Sequence, residues 1–264
     1  MFSIKLIHGM SAAALVIGLA ACQTNPVTGR SQLMIVSEDQ AQSSSAQAYA
    51  TTVSQARAKG RLDHDPALTQ RVTRIANRLI AQAVRIRPES ARWQWSVHLL
   101  DDPGNVNAWC MPGGKIAVYS GLVLKLRTTD DELAQVLAHE ISHALLSHGR
   151  EQMSRALATE VGLTLGSIAA GTDLTGLESI ANVAILMPNG RQAETEADRL
   201  GIEIAAKAGF DPNAAVSLWN KMLSQGGGQP PQWLSTHPSH ETRIADLQRL
   251  VPQMMPYYQS ARQG

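Results

Sequence analysis

The chain reads as an α+β domain, mainly helical, with one small β-sheet. Long stretches carry apolar residues at every third or fourth position, the period of a helix buried on one face. A short block around Trp93, Trp95, Val97 and Leu99 instead alternates with Gln94, Ser96 and His98, the two-residue period of a strand. No self-similarity at a period of roughly 20 to 50 residues recurs, so 264 residues with 44% hydrophobic and 17% charged content fit one compact domain and not a solenoid. Lys and Arg number 23 against 22 Asp and Glu, which leaves no net pull toward nucleic acid or anionic lipid.

Taken in order, the chain opens with Lys5 and an almost unbroken apolar run from Met10 to Ala21. A membrane-crossing helix needs about 20 such residues, so 1–21 reads as a signal peptide. It ends in Leu19-Ala20-Ala21-Cys22, which resembles the bacterial lipobox; Cys22 is then the lipidated first residue of the mature chain. Several acyl chains make a firm anchor, at about 0.8 kcal/mol per buried methylene. Gln23 stands where an Asp would suggest inner-membrane retention, so the expected location is the outer membrane, facing the periplasm. Residues 22–36 read as a lipidated tether without a periodic apolar face, and 37–264 as the single folded domain. Cys110, left without a partner, is expected to be a buried small hydrophobe.

Ser37, followed by Glu38 and Asp39, predicts a helix start. Leu68, Val72, Ile75, Leu79 and Ile80 put one stripe on a helix from Pro66 to about Arg85. The alternation from Trp93 predicts the first strand of the sheet. Asn107 to Met111 and Lys115 to Tyr119 flank Pro112-Gly113-Gly114 as two strands joined by a tight turn. Thr129-Asp130-Asp131-Glu132 is a capping box whose helix continues through Leu146, and Arg191 to Lys207 form another helix ending before Gly209.

The chemistry lies on these last two helices. In His139-Glu140-Ile141-Ser142-His143 the two histidines are four residues apart, rotated by only about 40°, so both imidazoles can bind one zinc ion. Glu140, offset by about 100°, can reach a water at the metal without ligating it. Catalytic zinc usually takes a third protein ligand. Glu194, with Asp198 four residues on, supplies a candidate: Glu194 as ligand and Asp198 as acceptor for the outer N–H of a ligand histidine. Glu203 and Glu178 are the next candidates for that third position. Glu196, about 200° from Glu194, reads as a surface charge, and His148, about 140° from His143, as a helix-end or packing histidine and not a ligand. His64 and His98 stand without a cluster and stay unassigned. No Gly-x-Ser-x-Gly elbow is present, and Cys110 lies in a strand, so serine or cysteine nucleophiles have little support.

The HEISH, ETEAD and THPSHETR segments, together with the NPVTGR and NAWCMPGGKIAVYSGL stretches, resemble gluzincin metallopeptidases related to HtpX, the Oma-type proteases and the CAAX prenyl proteases. Within that superfamily the chain is most similar to the soluble periplasmic lipoproteins of the LoiP and BepA type, without a tetratricopeptide domain. The resemblance implies a zincin-like fold with an edge strand beside the active site and one zinc per chain. His139, His143 and Glu194 would be its ligands and Glu140 the catalytic base. It also implies that His237 faces the metal, with Arg243 nearby. His237 would then stabilise the oxyanion or close on the zinc at rest, and Arg243 would stabilise the same oxyanion or pair with Asp198; His240 is the weaker candidate. Asn107-Ala108-Trp109 resembles the substrate-binding edge, to which an extended peptide adds through main-chain hydrogen bonds. The implied function is a zinc endopeptidase acting on unfolded or damaged envelope proteins. The alternative is a non-catalytic zinc-containing lipoprotein that binds clients or assembly partners through the same cleft.

Overall fold

The computed structural model describes residues 22–25, 27–164, 180–182, 187–224, 232–238 and 241–263. The signal-peptide segment, Glu178, His240 and the glycines before Trp233 lie outside the described residues. Two short antiparallel strands come first, β1 (Cys22–Thr24) and β2 (Ser31–Leu33). Helices α1 (Glu38–Ala58) and α2 (Pro66–Ile86) lead through a 3-10 turn (Pro88–Arg92) to β3 (Ser96–Leu100), β4 (Ala108–Met111) and β5 (Lys115–Tyr119). Then follow α3 (Ser120–Leu124), α4 (Asp130–Leu145), α5 (His148–Thr164), α6 (Arg191–Lys207), α7 (Asn213–Ser224), α8 (Gln232–Thr236) and α9 (Glu241–Ala261). Among the described residues no helix is long and apolar enough to cross a membrane.

The helix starts follow from their caps. Ser37 and Gln40 make a reciprocal box at α1, Asp65 accepts from the Leu68 amide ahead of Pro66 at α2, and Thr129 and Glu132 close the box at α4. The sheet has the order β3-β5-β4, with β3 parallel and β4 antiparallel to β5, so β4 is an edge strand. Because side chains alternate across a strand, the sheet feeds two cores. Leu99, Ala108, Ile116 and Val118 face a large core with α2, α4 and α6, while Leu100, Trp109 and Ala117 face a smaller one with α1 and Met153. Helix α4 is buried at every position from Glu132 to Leu145, which makes it the axis of the domain.

Two expectations are corrected here. The strand expected from Trp93 begins only at Ser96. Trp93 and Trp95 instead tilt against each other at 5.3 Å, with the Trp95 indole donating to the Ser90 carbonyl and Arg87 over the Trp93 ring. The second concerns the tether. Asn25, Gln32, Met34 and Val36 are buried, and the Asn25 and Gln32 side chains both donate to the Leu146 carbonyl at the end of α4, at 2.7 and 3.0 Å. This stretch is docked on the body because it satisfies carbonyls that a helix C-terminus leaves open.

Candidate metal centre

Helix α4 carries His139, Glu140 and His143 on its buried length, and α6 crosses it at Gly201. A Cβ at Gly201 would lie 3.0 Å from the His139 backbone nitrogen and 3.1 Å from its Cα, so any larger residue would push the helices apart by a few tenths of an ångström. The close crossing brings Glu194 and Asp198 of α6 onto the His139 face. At the end of the short helix α8, His237 enters from the other side. Its entry is held by Asn189, whose amide donates to the Thr236 carbonyl at 2.9 Å.

Four buried donors converge. His139 Nε2 lies 3.0 Å from His143 Nε2 and 3.2 Å from His237 Nδ1. Glu194 Oε1 lies 3.0 Å from His237 Nδ1 and 3.3 Å from His143 Nε2. All four ligand atoms sit within 4.8 Å of one another. Ligands at about 2.0–2.1 Å from a tetrahedral zinc stand roughly 3.3 Å apart, so the spacing suits that ion. The chemistry agrees. His139 turns Nδ1 to Asp198 at 3.0 Å and His143 turns Nδ1 to His148 at 2.9 Å, leaving two Nε2 lone pairs aimed at one point. Such a set is stable only around a positive charge. Burial disfavours a proton on His139, but its hydrogen bonds with Asp198 and Glu194 outweigh that and push the group up to about 9. Burial and the neighbouring histidines lower His143, despite Glu194. A metal held by this set would take the place of that proton.

Behind the donors, two carboxylates are each gripped by an arginine. Arg243 forks onto Asp198, Nε to Oδ2 at 2.6 Å and Nη2 to Oδ1 at 2.7 Å, and reaches Glu194 Oε2 at 2.6 Å. It is 2% exposed, lying over the Trp219 ring. Burial would raise the Asp198 carboxyl, but hydrogen bonds from Arg243 and His139 hold it below the usual range. On the His143 side, His148 Nε2 meets Glu196 Oε2 at 3.0 Å, and Arg30 Nε meets the same carboxylate at 3.0–3.2 Å. Glu140 faces a cleft bordered by Asn107, Ala108, Trp109, His143 and His237. Its Oε1 accepts from the Trp233 indole at 2.6 Å and lies 3.3 Å from His237 Nε2.

Residues 66–251, more than half of the chain, match the model of peptidase family M48. The chain belongs to peptidase family M48. Within M48 it is 36% identical over 186 residues to the mitochondrial metalloendopeptidase OMA1 of Schizosaccharomyces pombe, covering 69% of this chain and 52% of that protein. It is 32% identical over 268 residues to OMA1 of Bos taurus, covering 95% of this chain and 50% of that one. It is 35% identical over 219 residues to the beta-barrel assembly-enhancing protease of Yersinia pestis, covering 78% and 43%. The chain spans about half the length of the curated relatives it matches.

The M48 fold brings His139, His143, Glu194 and His237 into one cluster, with Glu140 beside it. Glu203 lies outside the cluster and pairs with Lys207 at 2.5 Å. Of the two roles left open for Arg243, the geometry holds it on Asp198 and Glu194, behind the donors and away from the cleft. Asn107 precedes β4, its side chain accepting from the Ala108 amide, while Ala108 and Trp109 lie in the edge strand. Glu196 is no surface charge, since it pairs with His148 and Arg30, whereas His148 is the first residue of α5 and lies outside the donor cluster, a helix-end packing histidine as expected. Trp233, Asn189 and Arg30 also touch these residues or their partners, and no spacing rule singles them out, because each arrives from a separate segment. The NPVTGR motif was the available signal for Arg30.

Proposed function

We propose that the chain is a zinc-dependent endopeptidase of the bacterial cell envelope that removes unfolded or damaged proteins. The observation that carries this reading is Glu140: a buried carboxylate placed beside a three-histidine, one-glutamate donor set and opening on a cleft bordered by an edge strand. A structural metal site has no use for such a base. His139, His143 and Glu194 would hold the zinc with His237 closed on it at rest, while Asp198 orients His139. Zinc held there supplies Lewis acidity, polarising the scissile carbonyl and lowering the pKa of a water toward about 7. Glu140 takes the proton of the attacking water and passes it to the leaving amine. The β4 edge, from Asn107 through Ala108 to Trp109, would receive an extended substrate by main-chain hydrogen bonds, which ignore side-chain identity and suit unfolded segments.

The envelope setting is supported by the sequence before Cys22, which reads as a lipoprotein signal, and by the likeness to a bacterial protease named for β-barrel assembly. Lipidation of Cys22 would tether the domain to the periplasmic face of the outer membrane. The test is cleavage of unfolded casein by the purified chain, with and without a chelator. Chelation should abolish cleavage and zinc restore it, and Glu140→Gln should keep zinc while losing about a thousandfold or more in turnover, within the range general-base loss produces. Intact proteolysis in zinc-loaded Glu140→Gln would overturn the mechanism.

A further inference from the structure

The NPVTGR segment takes no part in the proposed chemistry, yet Asn25, Gly29 and Arg30 each have a defined place. Asn25 Oδ1 accepts from the Val27 and Thr28 amides at 2.9 and 3.2 Å, while Asn25 Nδ2 donates to Gln32 and to the Leu146 carbonyl. Gly29 sits at φ 70°, a backbone conformation that favours glycine, and its amide donates to the Asn25 carbonyl. The turn closed in this way aims Arg30 inward. Its two terminal nitrogens bind Glu151 at 3.0 and 2.6 Å, and its Nε binds Glu196. Gln32 also donates to Glu151, at 3.0 Å.

From Arg30 an unbroken line of contacts runs to a metal donor. Glu196 meets His148 Nε2 at 3.0 Å, and His148 Nδ1 meets His143 Nδ1 at 2.9 Å. One proton arrangement satisfies the whole line. His143 must present an unprotonated Nε2 to a metal, so its proton is on Nδ1 and is donated to His148 Nδ1. The His148 proton is then on Nε2, donated to the Glu196 carboxylate, whose charge Arg30 balances. Reversing the Arg30–Glu196 end, or leaving Glu196 free to turn away, removes the acceptor that keeps His148 in this tautomer.

We infer that the NPVTGR hairpin is a brace of the metal centre, in which Arg30, Glu196 and His148 are positioning residues that hold the His143 imidazole with Nε2 toward the ion. Asp198 and Arg243 do the same for His139 from the other flank, so each α4 ligand is backed, directly for His139 and through His148 for His143, by a carboxylate gripped by a distant arginine. The inference rests on the metal-centre reading and makes the stretch next to the membrane-proximal Cys22 a determinant of metal affinity.

Competitive titration of the purified chain with a chromophoric zinc chelator tests it, alongside kcat and KM for casein cleavage. His148→Ala should weaken zinc binding roughly 10–100-fold, the usual consequence of losing the partner of a ligand histidine. Arg30→Ala should weaken it by roughly 3–10-fold, and Arg30→Lys by less. The double variant Arg30→Ala/His148→Ala should be no weaker than His148→Ala alone, because both act through one line. Where turnover is measurable, kcat should fall with KM nearly unchanged. Arg155→Ala, which removes only the outer partner of Glu151 at 2.6 Å, should bind zinc like the parent. If Arg30→Ala does not fold, Arg30→Lys and Glu196→Gln carry the same comparison with His148→Ala. Parental zinc affinity in folded His148→Ala, or losses that multiply fully in the double variant, would overturn the brace. A parent chain that binds zinc tightly without cleaving casein would overturn the peptidase reading and leave the brace standing.

Discussion

His237 stacks on Trp233 at 4.6 Å and 23°, and its Nδ1 lies among the donor atoms, not above them. From there it completes a four-donor set, and in the proposed capped resting state it would close the position a substrate carbonyl needs. His237→Ala is therefore expected to raise casein turnover, by roughly 3–10-fold if most resting molecules are capped, while weakening zinc binding. A depressed turnover would assign His237 to the transition state instead. His148 teaches a different lesson at this scale. On a continuous helix it diverges from His143 by about 140°. But α4 ends at Leu145, Ser147 adopts φ 58°, and the reversed chain starts α5 by returning His148 to the ring it follows. His139, His143 and Glu194 were legible because each pairing lies within one uninterrupted helix, where spacing alone sets direction. The contact of His148 with His143 was not, because the wheel stops being valid at a turn.

Among the elements, α4 bears the site and its start is anchored twice. Glu132 accepts from the Thr129 amide at 2.8 Å within the capping box, and also from Ser217 at 2.8 Å and Lys221 at 2.5 Å on α7. Burial would raise this carboxyl, but the hydrogen bonds from Lys221, Thr129 and Ser217 hold it below its ordinary 4.5. A depressed folded-state value means that the carboxylate stabilises the fold above the unfolded value and loses that contribution as pH falls through the folded one. Glu132→Gln should thus lower the melting temperature by about 2–4 °C at pH 7, for a cap worth about 1 kcal/mol. The gap should close as the pH is taken well below 4.5. A gap independent of pH would show that the charge contributes nothing. The capping box was readable from four consecutive residues, but its ties to Ser217 and Lys221 were not, since they depend on how α7 lies against α4.

At the scale of the whole molecule, the hairpin before α1 joins the exposed Cys22 to the buried Asn25 and to the partly buried Arg30 within a few residues. Cys22→Ser should remove the chain from the membrane fraction, or leave it as an unprocessed precursor, without altering its melting temperature or zinc affinity, because Asn25, Arg30 and Gln32 keep their contacts. Incorporation of a labelled fatty acid checks this: label that persists in Cys22→Ser would exclude Cys22 as the lipidation site.

By itself the sequence determined what local periodicity and spacing can carry: a mainly helical domain, a three-strand block, a zinc-type helix and a carboxylate helix. These are properties of neighbouring residues, in which the backbone geometry of one element sets every direction. Tertiary structure alone decided that α6 approaches α4 through Gly201, that His237 lies among the donors, that Arg243 serves the carboxylates and not the cleft, and that the expected leash is docked on the body. Each of those depends on where two distant segments meet. That is settled by burying both cores and by the demand that every buried charge find a partner, conditions no single stretch of the chain expresses.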